Sequence, residues 1–261
     1  MDNRVVVKLG SDVTTDQHLE SLLEDISRLR DSYEFLVVSS GAGKRGKING
    51  DRTDEPLPSR QARCAVGQID LMHAYQQAAA PYGMHVAQVL LTPEDFSPWW
   101  TLLPPIRRRR DNMFSTLETL LNKQVLPIIN ENDTVATAEI QFGDNDILGA
   151  LVARGMQARQ YIMLSTANGF QKHGRHVSMV DYGNIRPLYQ YVSGEHSENG
   201  TGGMRSKLDA ARLVTRHGMT ATIASGNEPH VLARLLEGHR GGLGEAYGHV
   251  MSTRFLPRPR Y

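Results

Sequence analysis

A single cysteine, Cys64, among 261 residues excludes an intrachain disulfide and fits a reducing compartment. No run of about 18 apolar residues occurs, so nothing in the chain reads as a membrane-spanning helix. The opening residues pass directly into VVVKLG, without the basic segment and long apolar stretch of a secretory leader. An excess of one charge is also missing. With 29 basic and 28 acidic residues the net charge is +1, so no global field favours nucleic acid and any such contact would need a local patch. These absences lead us to expect a soluble cytoplasmic protein with neither a nucleic-acid nor a membrane partner.

No internal repeat or low-complexity linker interrupts the chain, and its length suits one domain spanning residues 1–261. What is present is an alternation. Short aliphatic runs at 5–9, 35–39, 85–91, 125–129, 161–164 and 220–224 read as strands buried on both faces. Between them, residues 17–30, 60–80, 111–122, 144–156, 203–217 and 229–237 space their apolar residues by three and four, as helices do. The alternation predicts an α/β fold, a mostly parallel sheet sandwiched between helices. Residues 48–58 read as a polar loop, 171–200 as a weakly patterned region holding a hairpin or a mobile cover, and the tail RFLPRPRY as surface coil. The basic run at 107–110 is expected to be a solvated helix entrance or subunit-contact surface, and Trp99 and Trp100 to be packing or lid residues.

Four segments fall where strands end, the place where open α/β sheets hold ligands. In VVVKLGS, Lys8 nears a strand end and Gly10 lets the backbone turn. Such a lysine could neutralise a transferring phosphate or be merely structural. VVSSGAGKRGKI fits two nucleotide patterns, G-x-G-x-x-G and G-x-x-x-x-G-K, and satisfies neither. Ile48 stands where a phosphate loop needs Ser or Thr for magnesium, and the acidic residue of the dinucleotide pattern is misplaced. What survives is a Ser-Ser-Gly turn that offers hydroxyls and N–H groups to an anion.

In INENDTVATAEIQFGDNDILGAL, Asn130, Glu131, Asn132 and Asp133 crowd one strand end, and Gly143 to Asp146 open a helix. Capping accounts for one of these groups but not all, and the two clusters together suit an amino acid's ammonium and carboxylate. In NGTGGMRSKLDAARL, glycines precede an amphipathic helix bearing Lys207 in its first turns, which reads either as a phosphate site or as a plain glycine turn.

Taken together, VVVKLGS, VVSSGA, RQARCAVGQ, YGMHVAQVLLT, PIINENDTVATAEIQFGDND and GTGGMRSKLDAA resemble the amino acid kinase family, most specifically its glutamate 5-kinase branch, in order over about residues 4–240. The resemblance implies a three-layer αβα sandwich and ATP-dependent phosphorylation of the γ-carboxylate of glutamate, the first step toward proline. It implies Lys8 and Lys207 beside the transferring phosphoryl group, with Asp146 orienting them. Ser40, Gly41, Asp133 and Asn145 match the acceptor positions. Ser165, Thr166, Thr201, Gly202, Gly203, Met204, Arg205, Ser206 and Lys207 match the nucleotide positions, together with Lys8. Mg²⁺ would ride on nucleotide phosphates and water, with no dedicated protein ligands. A homo-oligomer is implied, and a reductase or ligase that consumes the unstable acyl phosphate is the expected partner.

The chain departs from the family pattern after its YIML strand. Thr166 stands for an aspartate, a DPR element is absent and an arginine is lost near residue 112, and we expect no C-terminal PUA domain. A kinase of a related carboxylate and a catalytically weak regulatory paralogue therefore stand as alternatives. A nicotinamide oxidoreductase rests only on Gly41, Gly43 and Gly46.

Overall fold

The computed structural model describes residues 3–47, 56–96, 104–135, 145–192, 203–238 and 249–259. In chain order the elements are β1 (Arg4–Leu9), α1 (Asp16–Leu29), β2 (Glu34–Ser39), α2 (Ala42–Arg45), α3 (Leu57–Ala79), β3 (His85–Leu91), α4 (Pro104–Asn122), β4 (Val125–Glu131) and α5 (Asn145–Gly155). There follow β5 (Gln160–Ser165), β6 (Phe170–Lys172), β7 (Arg175–Val177), β8 (Met179–Val180), α6 (Ile185–Leu188), α7 (Met204–Arg216), β9 (Thr220–Ser225), α8 (Val231–Glu237) and β10 (Ser252–Phe255).

The main sheet runs β3-β4-β2-β1-β5-β9-β10-β8. Its pairs are parallel except β10 with β9. The period-two alternation of strand side chains divides the apolar residues between two cores. Val6, Leu36 and Val38 face one core with Leu117 of α4, Leu148 and Val152 of α5, and Leu208 and Val214 of α7. Val5, Val7, Phe35 and Val37 face the other with Leu19 and Leu23 of α1, Leu71 and Tyr75 of α3, and Leu232 of α8. The expected three-layer αβα arrangement follows, with β1 near the middle of the sheet and its C-terminal end opening between the helical layers.

Three expectations change in detail. Helix α4 starts at Pro104 rather than near 111, since proline at a first helical position gives up no hydrogen bond. The basic run therefore lies within the helix, where Arg109 reaches Asp95 at 2.6 Å. The tail is not coil throughout. Arg254 and Phe255 belong to β10, and Phe255 is wholly buried against Ala221 and Val180 in register, because an apolar ring gains more there than on the surface. Residues 171–200 begin with a hairpin whose Lys172 and Arg175 pair around His173 and Gly174. Both turn residues have positive φ, at 50° and 72°, as a tight two-residue turn requires. Trp99, Trp100 and Ile48 lie outside the described residues.

Two contacts fix helices near the sheet's C-terminal edge. Buried Asp25 on α1 accepts the backbone N–H groups of Leu232 at 3.0 Å and Ala233 at 3.1 Å at the start of α8, and faces His230 Nδ1 at 3.0 Å. Burial pushes its carboxyl above the usual carboxylate range, against the pull of these partners. Helices α2 and α3 meet glycine to backbone: a Cβ on Gly46 would sit 1.9 Å from the Arg63 carbonyl oxygen, and one on Gly67 1.9 Å from that of Ala42. Gly46→Ala is expected to lower stability by about 1–3 kcal/mol, because neither backbone can yield cheaply. Gly183→Ala, whose Cβ would meet nothing within 4 Å, is expected to be near neutral. Urea denaturation midpoints check both.

Candidate active site

The alternation that sends Val6 toward the α5 and α7 layer sends Lys8 there too, between Val38 and Met163 in register. Asp146 comes from the first turn of α5, where the helix dipole favours a carboxylate, and Lys207 from the first turns of α7. The three meet. Lys8 Nζ lies 2.6 Å from Asp146 Oδ1, and Lys207 Nζ lies 2.9 Å from Oδ2. Their exposures are 3%, 5% and 0% for Lys8, Lys207 and Asp146. One carboxylate thus divides itself between two ammonium groups in a place largely closed to water. Two ammonium groups held side by side in that low dielectric suit an incoming anion.

The helix that carries Asp146 is held from below. Tyr161 Oη donates to the Asp146 carbonyl at 2.8 Å, and its ring lies so close that a Cβ on Gly149 would stand 2.4 Å from Oη. Glycine is therefore required one turn into α5 for the tyrosine to reach the helix start.

Beside the charged trio runs a line of amides. Asn145 Nδ2 lies within donating distance of Ser39 O at 2.9 Å, Ser40 Oγ at 3.0 Å and Asn130 Oδ1 at 2.9 Å. Asn130 Oδ1 also accepts the Glu131 N–H at 2.8 Å, while Asn130 Nδ2 donates to Gln68 Oε1 at 2.8 Å. Ser39 is fixed in turn by Tyr75, whose hydroxyl donates to Ser39 Oγ at 2.9 Å. Asn145 Oδ1, buried, has no hydrogen-bond partner among the described residues, and it is an acceptor. Gly41 follows Ser40 with φ of 102°, a conformation open to glycine, and a Cβ there would strike Thr14 Oγ1 at 2.3 Å.

Asp133 is paired with Cys64. Burial raises its carboxyl, and the hydrogen bond from the thiol works against that rise. The thiol itself is pushed up to about 12, chiefly by burial and secondly by the neighbouring Asp133 charge. Cys64 accordingly stays a protonated donor at neutral pH.

On the far side of the lysines, Gly203 is extended ahead of α7, and Ser206 Oγ in its first turn is buried with no partner among the described residues. The Arg205 guanidinium lies 5.8 Å from the Tyr189 ring centre, and Tyr189 Oη donates to Asp209 at 2.6 Å. Lys172 lies 4.8 Å from the Tyr191 ring centre. At the end of β5, Ser165 Oγ accepts the Ala167 N–H at 3.3 Å and Ser165 O accepts Gly226 N–H at 2.7 Å, next to Gly10. A cluster of three or more His, Cys, Asp or Glu side chains able to hold a metal is absent among the described residues.

The profile of the Amino acid kinase family matches residues 3–225. The chain belongs to the amino acid kinase family. A glutamate 5-kinase of Chromobacterium violaceum is 40% identical over 257 residues, covering 92% of this chain and 67% of that one. A glutamate 5-kinase of Alkaliphilus metalliredigens is 36% identical over 251 residues, covering 90% and 92%. Among solved structures, carbamate kinase from Giardia has a TM-score of 0.63 at 16% identity over 98% of this chain and 99% of that one. UMP kinase from Ureaplasma parvum has a TM-score of 0.61 at 12% identity, with coverage of 98% and 99%. These two likenesses concern the fold.

Within this amino acid kinase fold, the residues singled out from sequence divide into three groups. Lys8 and Lys207 both contact Asp146, and Ser40 and Asn145 form a second contact beside them. Gly203, Met204, Arg205 and Ser206 open the helix that carries Lys207. Asp133 touches Cys64 rather than Asn145, and Thr166 is exposed at the end of β5. Thr201 and Gly202 lie outside the described residues. Sequence reasoning passed over Gln68, Tyr75 and Cys64. Their signal was buried in the apolar spacing of α3, where a polar residue on the inner face is the only mark.

Asp146→Asn, which sets two buried ammonium groups against a neutral amide, is expected to lower stability by about 3–5 kcal/mol in urea titration. Replacing all three charges together (Lys8→Met, Asp146→Leu, Lys207→Met) should return most of that loss. At pH 8, Cys64 in the folded chain is expected to alkylate with iodoacetamide at least about a hundredfold more slowly than in urea, since only the thiolate reacts. Equal rates would place the thiol outside the Asp133 contact.

Proposed function

We propose that this chain transfers the γ-phosphoryl group of ATP to the γ-carboxylate of L-glutamate, giving L-glutamyl 5-phosphate and ADP. One observation carries the reading: a buried carboxylate shared by two buried lysines, directly beside a second polar cluster. The relatives at 36–40% identity carry the name glutamate 5-kinase, which supports glutamate as the acceptor.

The chemistry asks little of proton transfer. Glutamate's γ-carboxylate is ionised at neutral pH, so no general base is required. A carboxylate oxygen attacks the γ-phosphorus, and the bond to the bridging oxygen breaks with its electron pair leaving on ADP. Negative charge gathers on the transferring group, and Lys8 and Lys207 are assigned to meet it from either side. Asp146 holds the two ammonium groups where they must be before substrate arrives, which removes the reorganisation from the reaction itself.

Ser40, Gly41, Asp133 and Asn145 are assigned to the acceptor. Asn145 Oδ1 and the Asp133 carboxylate are suited to its ammonium, and the Ser40–Gly41 turn is suited to a carboxylate. Ser165, Thr166, the 201–206 segment and Lys207 are assigned to the nucleotide. Both Asp146 oxygens face lysines, which fits Mg²⁺ carried by the nucleotide phosphates and water rather than by this trio; bound, it would neutralise the β- and γ-phosphate oxygens. We assign the chain to the cytoplasm as one homo-oligomeric catalytic domain. A reductase or ligase that consumes the acyl phosphate is its proposed successor in reaction order.

Incubation with ATP, Mg²⁺, glutamate and hydroxylamine is expected to yield the γ-hydroxamate. Lys207→Ala is expected to lower kcat by about 10²–10³-fold, the scale of losing one preorganised charge-stabilising group. Hydroxamate formed from another amino acid and not from glutamate would move the acceptor assignment. A Lys207→Ala chain with undiminished kcat would remove the phosphoryl role of the trio.

A further inference from the structure

We propose that Gln68 is a positioning residue for the acceptor amino acid, acting through Asn130 on Asn145. The inference rests on the glutamate-kinase reading above. Gln68 is 8% exposed, on the inner face of α3, and its side chain's hydrogen bond among the described residues is the one it accepts from Asn130.

The orientation of every amide in the line follows from two backbone groups that have no choice. The Glu131 N–H can only donate, so the atom of Asn130 facing it at 2.8 Å must be the carbonyl oxygen. Asn130 then has its NH₂ on the other side, and Gln68 must present oxygen to it. At the far end, the Ser39 carbonyl can only accept, so the atom of Asn145 facing it at 2.9 Å must be the NH₂. That same NH₂ meets Asn130 Oδ1. Reversing any one amide would set donor against donor or acceptor against acceptor somewhere along the line.

The result is that Asn145 spends both amide protons inward and keeps its buried oxygen for the site. An oxygen acceptor without a partner invites a hydrogen-bond donor, and the ammonium group of an amino acid is one. Gln68 closes this line at the end remote from the site. It also lines an open groove between α3 and β3, together with Met72, His73, Leu90 and Thr134. Without its oxygen, the Asn130 NH₂ is left as a buried donor with nothing to bind, and Asn130 has reason to turn away from Asn145. Loss of Gln68 Oε1 therefore reaches the acceptor and leaves the lysines in place.

The test separates shape from hydrogen bonding. Gln68→Met keeps the volume and removes the acceptor; Gln68→Glu keeps an acceptor oxygen for Asn130. Steady-state kinetics on the intact chain are expected to show the KM for glutamate rising about tenfold in Gln68→Met, the scale of one buried unpaired donor, with kcat and the KM for ATP changed less than about twofold. Gln68→Glu is expected to restore the KM. Should Gln68→Met not fold, Asn130→Ala tests the next link of the same line, because it removes both the donor to Gln68 and the acceptor that holds Asn145, and the same rise in the glutamate KM is expected. A glutamate KM unchanged in Gln68→Met, a kcat or ATP effect as large as the glutamate effect, or a Gln68→Glu that behaves like Gln68→Met overturns the inference alone. A wild-type chain that yields no hydroxamate from glutamate overturns the parent reading and this inference with it.

Discussion

Three charges held out of water, Lys8, Asp146 and Lys207, impose the constraint around which the rest of the molecule is arranged. Each comes from a different element, so the strand β1 and the helices α5 and α7 must arrive in register before any of the charges is satisfied. An unpaired ammonium or carboxylate in this position would be far less stable than the trio, because desolvation in the interior is not offset by water. The apolar core between β1, α5 and α7 supplies the rigidity that keeps three such groups within hydrogen-bond distance. The glycine beneath Tyr161 and the tyrosine's own bond to the Asp146 carbonyl serve the same end at the level of single atoms.

The polar line from Gln68 to Ser40 obeys a gentler version of the same rule. Its members are neutral, so their attraction is weak, but each donor and acceptor is directional. Charge fixes where an anion is drawn, and amide direction fixes which face of the neighbouring cluster accepts hydrogen bonds. The two clusters share a helix, since Asn145 and Asp146 are consecutive in α5. Any shift of that helix start disturbs both at once, which explains why so much packing converges on it.

Most of the fold was legible in the sequence because it depends on local periodicity. Continuous aliphatic runs marked strands covered on two faces, and three-and-four spacing marked the helices that cover them. The errors fall where local pattern and tertiary burial disagree. Arg254 and Phe255 read as tail because two prolines follow, yet Phe255 finds a buried place against a strand. The charged trio was approachable from strand ends and helix starts, with the motif likeness assigning the roles. Gln68 was not. Its chemistry comes from a partner 62 positions away, and no spacing along the chain encodes that meeting. Cys64 escaped for the same reason, since the effect of Asp133 on its thiol exists only when the two are packed together.

Asp25 has a consequence for how the chain must be made. Its carboxylate is buried on α1, and the N–H groups that satisfy it belong to Leu232 and Ala233, more than two hundred positions later. One side of the central strand β1 waits as well: β2 pairs with it early, but its other neighbour β5 begins at Gln160. During synthesis, at about 5–20 residues per second, the first helix therefore waits on the order of ten seconds or more for the partner that makes its burial tolerable. Through that interval the Asp25 carboxylate lacks the N–H groups that offset its burial in the finished fold. The native state becomes available as a whole only when the last quarter of the chain has left the ribosome. Asp25 and one side of β1 are thus translated among the first and satisfied among the last, and the time between the two is when a nascent chain of this architecture has most need of protection.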